Sequence, residues 1–187
     1  MSITSVKSGS GGISLALDNN YMEPIATVLV GASGSGVIEF KDIPQTYKHL
    51  QIRMSIRAAS SGNMLMFMFN GDSSSTNAIH SLGGNGASAY ANSATGVQYL
   101  RAQRQNGITT TASTFTAGII DILDYTNTNK YKTVKVLSGT DQNGSGAIDL
   151  ESNLWQSTDS INSINLFLAN GVAFTQYSRI SLYGIKG

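Results

Sequence analysis

Residues 49–58 read HLQIRMSIRA, and the two sets of alternate positions have opposite chemistry. Leu50, Ile52, Met54 and Ile56 form one set; Gln51, Arg53, Ser55 and Arg57 form the other. A helix would scatter these residues around its circumference, whereas a strand sorts them onto two faces. The segment therefore predicts a strand with one face in a core and the other toward solvent or a partner.

The same period recurs on both sides. PIATVLV (24–30), VIEF (37–40), FTAGIIDILDY (115–125), YKTVKVLSGT (131–140), SINLFLA (163–169) and SRISLYGIK (178–186) are strand-like runs bounded by Gly, Asn, Asp or Ser. YTNTNKY, between two of them, has the composition of a hairpin connection. MLMFMF (64–69) is apolar at every position, as expected of a strand covered on both sides. Helical periodicity is poor throughout, and no capping box opens an amphipathic stripe. The prediction is an all-β, antiparallel two-sheet β-sandwich of jelly-roll type, with the Leu50 row packed against Ile164, Leu166 and Leu168. Residues 70–114 must then hold short strands or a functional loop, since long structureless loops are uncommon.

Two units are expected: an N-terminal arm over 1–23 and the sandwich domain over 24–187. SVKSGSGG in the arm is flexible by composition. Ile13, Leu15 and Leu17 then alternate, which suits a weak strand or an arm that orders against another chain.

Composition narrows the function. The chain has 187 residues, no cysteine and only 12% charged residues, about half the usual fraction. Ser, Thr and Asn supply about three residues in ten. Without cysteine there is no disulfide framework and no thiol chemistry. A net charge of +1 gives no electrostatic footprint for nucleic acid. No apolar run is long enough to span a membrane, and no secretory leader is recognisable. A surface rich in hydroxyls and amides is cheap to desolvate and suits close contact with neighbours.

Reactive constellations are weak. His49 and His80 read as satisfied strand or edge residues, and no nucleophile elbow is present. Asp121 with Asp124, and Asp149 with Glu151, could form acid–base pairs, but without a marked cleft they read as solvated charges. NGDSSSTN (70–77) and GTDQNGSG (139–146) offer oxygen ligands without EF-hand spacing; turn capping accounts for both. No catalytic residue, metal ligand or cofactor is expected, and the chain reads as a non-enzyme. Among the aromatic residues, Trp155, Tyr90, Tyr99 and Tyr177 could stack on a sugar, although a lone tryptophan is more commonly buried.

Three stretches carry a resemblance in their order: FKDIPQTYKHLQIRMSIRA (40–58), FNGDSSSTNAIHSLGGNGASAYA (69–91) and SRISLYGIKG (178–187). Together with IDLESNLWQSTDSINSINLFLANGVAF, they resemble a group of tailed-bacteriophage virion structural proteins over residues 24–187. The resemblance implies a β-sandwich that serves as a particle part, located on the virion. The implied role is a capsid cement or decoration protein bound to the major capsid protein or other virion proteins, with a homotrimer as the expected form. The alternative is a tail-fibre, baseplate or receptor-binding module touching a host glycan through His80, Tyr90 and Trp155. The Asn70-Gly71-Asp72 turn and the Tyr183-Gly184-Ile185 ending match the family pattern and are given structural roles. For an interface, the candidates are Ile13, Leu15 and Leu17 in the arm, Arg53 and Arg57 opposite the core row, and Met66 and Met68.

Overall fold

The computed structural model describes residues 21–60, 64–102 and 109–187 with their side chains, and Gln103 and two N-terminal strands by backbone pairing. Those two strands, β1 (Ile3–Gly9) and β2 (Gly12–Leu17), pair antiparallel as a two-stranded sheet. Ile13, Leu15 and Leu17 fall on β2, but their side chains lie outside the described residues.

Twelve further strands form two sheets. In chain order they are β3 (Met22–Leu29), β4 (Val37–Phe40), β5 (His49–Ile56), β6 (Leu65–Phe69), β7 (Asn77–Gly84), β8 (Ala89–Val97), β9 (Leu100–Gln103), β10 (Thr116–Ile122), β11 (Lys132–Asp141), β12 (Gly146–Trp155), β13 (Ile164–Leu168) and β14 (Arg179–Ile185). The large sheet runs β3-β14-β5-β10-β11-β12-β7-β8, and the small one β4-β13-β6-β9. Every pairing is antiparallel.

Eight of these strands make a jelly roll. The set β3-β14-β5-β10 stacks on β4-β13-β6-β9, and the chain crosses between them from β3 to β4, β4 to β5, β5 to β6, β9 to β10 and β13 to β14. The remaining four strands are two inserted hairpins. β7–β8 enters between β6 and β9, and β11–β12 enters between β10 and β13. Both attach to the same flank of the large sheet, which is why that sheet has eight strands and its partner four.

The core follows the alternation. Leu50, Ile52, Met54 and Ile56 are buried, as are Leu65, Phe67 and Phe69 on β6 and Ile164, Leu166 and Leu168 on β13. Each such side chain contributes roughly 1.5–3 kcal/mol when fully buried. MLMFMF is less two-sided than its composition suggests: Met66 and Met68 are half-buried on the outer side of β6. Residues 70–114 hold β7, β8 and β9, so of the two options that the loop-length constraint leaves, strands or a functional loop, strands fill most of this stretch.

The Asn70-Gly71-Asp72 turn and the Tyr183-Gly184-Ile185 ending act as fasteners. Asn70 and Gly71 take positive φ values of 53° and 67°, making the tight turn after β6. Asn70 Oδ1 accepts the backbone N–H groups of Asn162 and Ser163 at 2.8 and 3.1 Å, and its Nδ2 donates to the Ser160 carbonyl at 2.8 Å. Asp72 accepts the indole N–H of buried Trp155 at 2.6 Å. At the other motif, the Tyr47 ring lies so close over Gly184 that a Cβ there would overlap it. Tyr47 in turn donates to Glu23 at 2.9 Å, and Lys186 pairs with Glu23 at 2.5 Å, fixing the start of β3 to the end of β14.

Three carboxylates sit below their ordinary range. Glu23 is held down by Lys186 and then Tyr47, Asp72 by Ser74 and then Trp155, and Asp124 by Lys130 and then Lys48. A carboxylate depressed in the folded state stabilises above its unfolded value and stops doing so as pH falls through its folded value. Thermal melts should therefore give a level Tm from about pH 8 to about pH 5 and a decline below about pH 4. Asp124→Asn should flatten that decline; an unchanged acid slope would show that the carboxylate is not linked to folding.

Candidate docking surface

β12 is inside out. Its burial alternates regularly, but Asp149, Glu151 and Asn153 face inward while Ile148, Leu150 and Ser152 face outward. Asp149 and Glu151 are each 1% exposed, so the expectation of solvated charges is corrected. An ionised carboxylate is buried only when partners replace its water. Here they come from β9 and β8. Arg101 Nε of β9 reaches Glu151 at 2.9 and 3.0 Å, and its Nη2 donates to Ser81 of β7 at 3.0 Å. Tyr90 of β8 donates to Asp149 at 2.8 Å, its ring seated over Gly83 of β7, where no side chain intervenes.

Asn153 has a different task. Its Oδ1 accepts the Arg101 backbone N–H at 2.8 Å, and its Nδ2 donates to the Arg101 carbonyl at 2.9 Å. The side-chain amide thus imitates a neighbouring strand and closes the free edge of β9. At the start of β11, Lys132 is fully buried opposite Trp155 at the end of β12. Its ammonium donates to the carbonyls of Asn127, Thr158 and Lys130 at 2.7, 3.1 and 3.2 Å. Burial pushes this lysine below its ordinary pKa.

With polar groups turned inward, apolar ones are left outside. Ile119 of β10 stands opposite Leu137 of β11, Leu137 opposite Leu150, Leu150 opposite Leu82 of β7, and Leu82 opposite Ala91 of β8. One step along the strands, Ala117, Gly139, Ile148, Gly84 and Ala89 form a second row. Leu82, Leu137, Leu150 and Ile148 are 51–59% exposed, where side chains of this kind are normally covered. At about 4.8 Å per strand, five strands make a ladder about 20 Å wide. The next row, Asp121, Lys135, Ser152, His80 and Ser93, is polar and bounds the ladder on one side. Around Leu82 and Leu150 the surface dips into an open hollow of ≈ 580 Å³, also lined by His80, Ala91, Ser93 and Ser152.

The residues singled out from sequence are dispersed. Arg53 is exposed on the outer face of β5, next to Ile119 in register, with its guanidinium 5.7 Å from the Tyr183 ring centre. Arg57 is half-buried and donates to Thr175 at 2.9 Å. Met66 and Met68 lie on the other sheet. His80 lines the hollow, Tyr90 points to the inner side, and Trp155 is 2% exposed within the core, so the three make no common sugar platform. His49 Nδ1 accepts the Asp124 backbone N–H at 2.9 Å, as befits a satisfied histidine. Asp121 accepts from Gln51 at 2.7 Å, whereas Asp124 binds Lys48 and Lys130, so these two acids do not converge. Among the described residues, no group of three or more His, Cys, Asp or Glu side chains is placed to hold a metal ion.

Sequence reading missed the ladder. The usable signal was IDLESN, where strict alternation fixes two faces but leaves open which one is inside. No protein-family model, curated protein or solved structure matches the chain.

Inverted packing has a mutational signature. Glu151→Ala strands the Arg101 guanidinium and should cost about 3–5 kcal/mol in urea unfolding. Leu150→Ser removes a larger apolar group at the neighbouring position yet should stay within about 0.5 kcal/mol of the parent. The reverse ranking would mean that β12 faces the other way.

Proposed function

We propose that this protein is a non-enzymatic structural protein of a bacteriophage virion, a cement or decoration subunit that docks on the assembled shell. The observation that carries the reading is the exposed ladder Ile119–Leu137–Leu150–Leu82 on a rigid sheet. A broad apolar face rimmed by polar residues is the usual mark of a protein–protein contact. Its backing is a jelly roll held by a continuous core, so the face is presented without an ordering cost at binding. Low charge over the chain limits the desolvation penalty, and the ordered resemblance of residues 40–58, 69–91 and 178–187 supplies the phage context. The partner is then a shell protein with a complementary apolar surface.

A tail-fibre or receptor-binding role is the second reading, favoured by the hollow that combines Leu82 and Leu150 with His80, Ser93 and Ser152. Copy number separates the two. Quantitative mass spectrometry of purified particles should find hundreds of copies for a shell protein and a handful for a tail module. Leu82→Lys with Leu150→Lys should then lower particle occupancy at least about tenfold, a loss of about 1.4 kcal/mol or more, while the isolated protein keeps its fold. Full occupancy by the double variant would remove the ladder from the docking role.

A further inference from the structure

Four strands end the two sheets, and three of them are blunted. β3 carries Glu23 and Pro24, and its pairing with β14 is interrupted by a bulge at Leu182/Tyr183. β4 has only four residues, with Glu39 paired to Lys41 at 2.9 Å. β9 also has four, and Asn153 occupies the Arg101 backbone groups on its edge. Charge, proline, a bulge, shortness and a side-chain cover are the recognised ways of keeping a sheet edge from recruiting another strand.

β8 has none of these over most of its length. It spans nine residues, AYANSATGV, without a charged residue or proline. Its irregularity is confined to the far end, where Gly96 (φ 67°) is the extra residue opposite Asn77 and Ala78. Residues 89–95 are in regular register with β7, and among the described residues β7 is the strand that pairs with them. The side away from β7 therefore presents backbone donors and acceptors in the spacing that an extended strand would satisfy.

We infer that β8 pairs antiparallel with β8 of a second copy of this chain, joining two large sheets across a two-fold axis. Self-pairing sets a sequence against its own reverse, so any charge would meet a like charge or demand a matching one; residues 89–95 contain none. With Ala91 on the axis, Ala91 faces Ala91, and Ala89 faces Ser93, all small and compatible. The apolar ladder of one copy then continues through Ala91 into that of the other, doubling its width. A net charge of +1 per chain adds little repulsion between copies. Edge pairing of about five residues buries less than the ~1,200 Å² typical of permanent interfaces, so the pair forms in a concentration-dependent manner. This two-fold contact differs from the homotrimer that the family resemblance implies, and it does not depend on what the ladder binds.

Sedimentation of the full chain from about 1 µM to about 500 µM should show 19.7 kDa monomers passing to species of twice that mass. Ala91→Lys places two ammonium groups face to face and should weaken association at least tenfold with an unchanged thermal melt. Because the chain has no cysteine, single thiols report the contact cleanly. Ala91→Cys should form a disulfide-linked dimer under mild oxidant, since opposed residues of an antiparallel pair lie within disulfide reach. Leu137→Cys, in the middle of the ladder, should not. A chain that stays monomeric at the highest concentration, a trimer, or crosslinking through Leu137→Cys in place of Ala91→Cys would each overturn the proposal.

Discussion

The clasp between Arg101 and the inner face of β12 orders everything around it. Glu151 and Asn153 take the guanidinium and backbone of one residue of the small sheet, and Ser81 adds a contact from β7. A strand has a side-chain period of two, so fixing one inward position fixes them all. Once Glu151 and Asn153 point in, Ile148 and Leu150 must point out. The buried pair does not earn its place through net stability, because well-packed apolar residues could serve as well. What it supplies is direction: a slip of one residue would bury apolar side chains but abandon a charge without a partner, a far larger penalty.

Legibility in the sequence tracks how each residue spends its hydrophobicity. The Leu50 row and the strands from 163 to 186 obey the ordinary rule that apolar residues face the core, and the sandwich could be read from them; between 115 and 140 Ile120, Ile122, Val134 and Val136 obey it while Ile119 and Leu137 face outward. The turn at Asn70-Gly71 and the close approach at Gly184 were legible as structural points, though their partners, the 160–163 backbone and Tyr47, were not. β12 breaks the ordinary rule. Asp149 and Glu151 look solvated to any reading that lacks Arg101 and Tyr90, which are 50 and 59 residues away in the chain. Trp155 is buried, the commoner fate of a tryptophan, but the partners that enclose it, Asp72 and Phe69 with its ring centre 5.4 Å away, could not be read from the local sequence. Long-range partners, not local propensity, determine these positions.

The same division runs through function. The roll itself is a packed support, and the features that bear on association gather on the two inserted hairpins. β11–β12 supplies most of the ladder, and β7–β8 supplies its continuation, the hollow and an uncharged edge. Rigidity in the support matters to both, because a flat apolar face or a strand edge binds well only if it keeps its shape while free.

The manner of insertion has a consequence for how such a molecule changes over time. Each added hairpin leaves the roll and returns to it with short approaches: seven residues separate Phe69 from Asn77, and two separate Val97 from Leu100. The apron of extra strands is thus an outgrowth of two connections, and of its strands β11 and β12 also feed Val134, Val136 and Trp155 into the core of the roll. Outward-facing positions and turn lengths of the apron can therefore vary with little effect on the packing of the roll, whereas its inward-facing positions cannot.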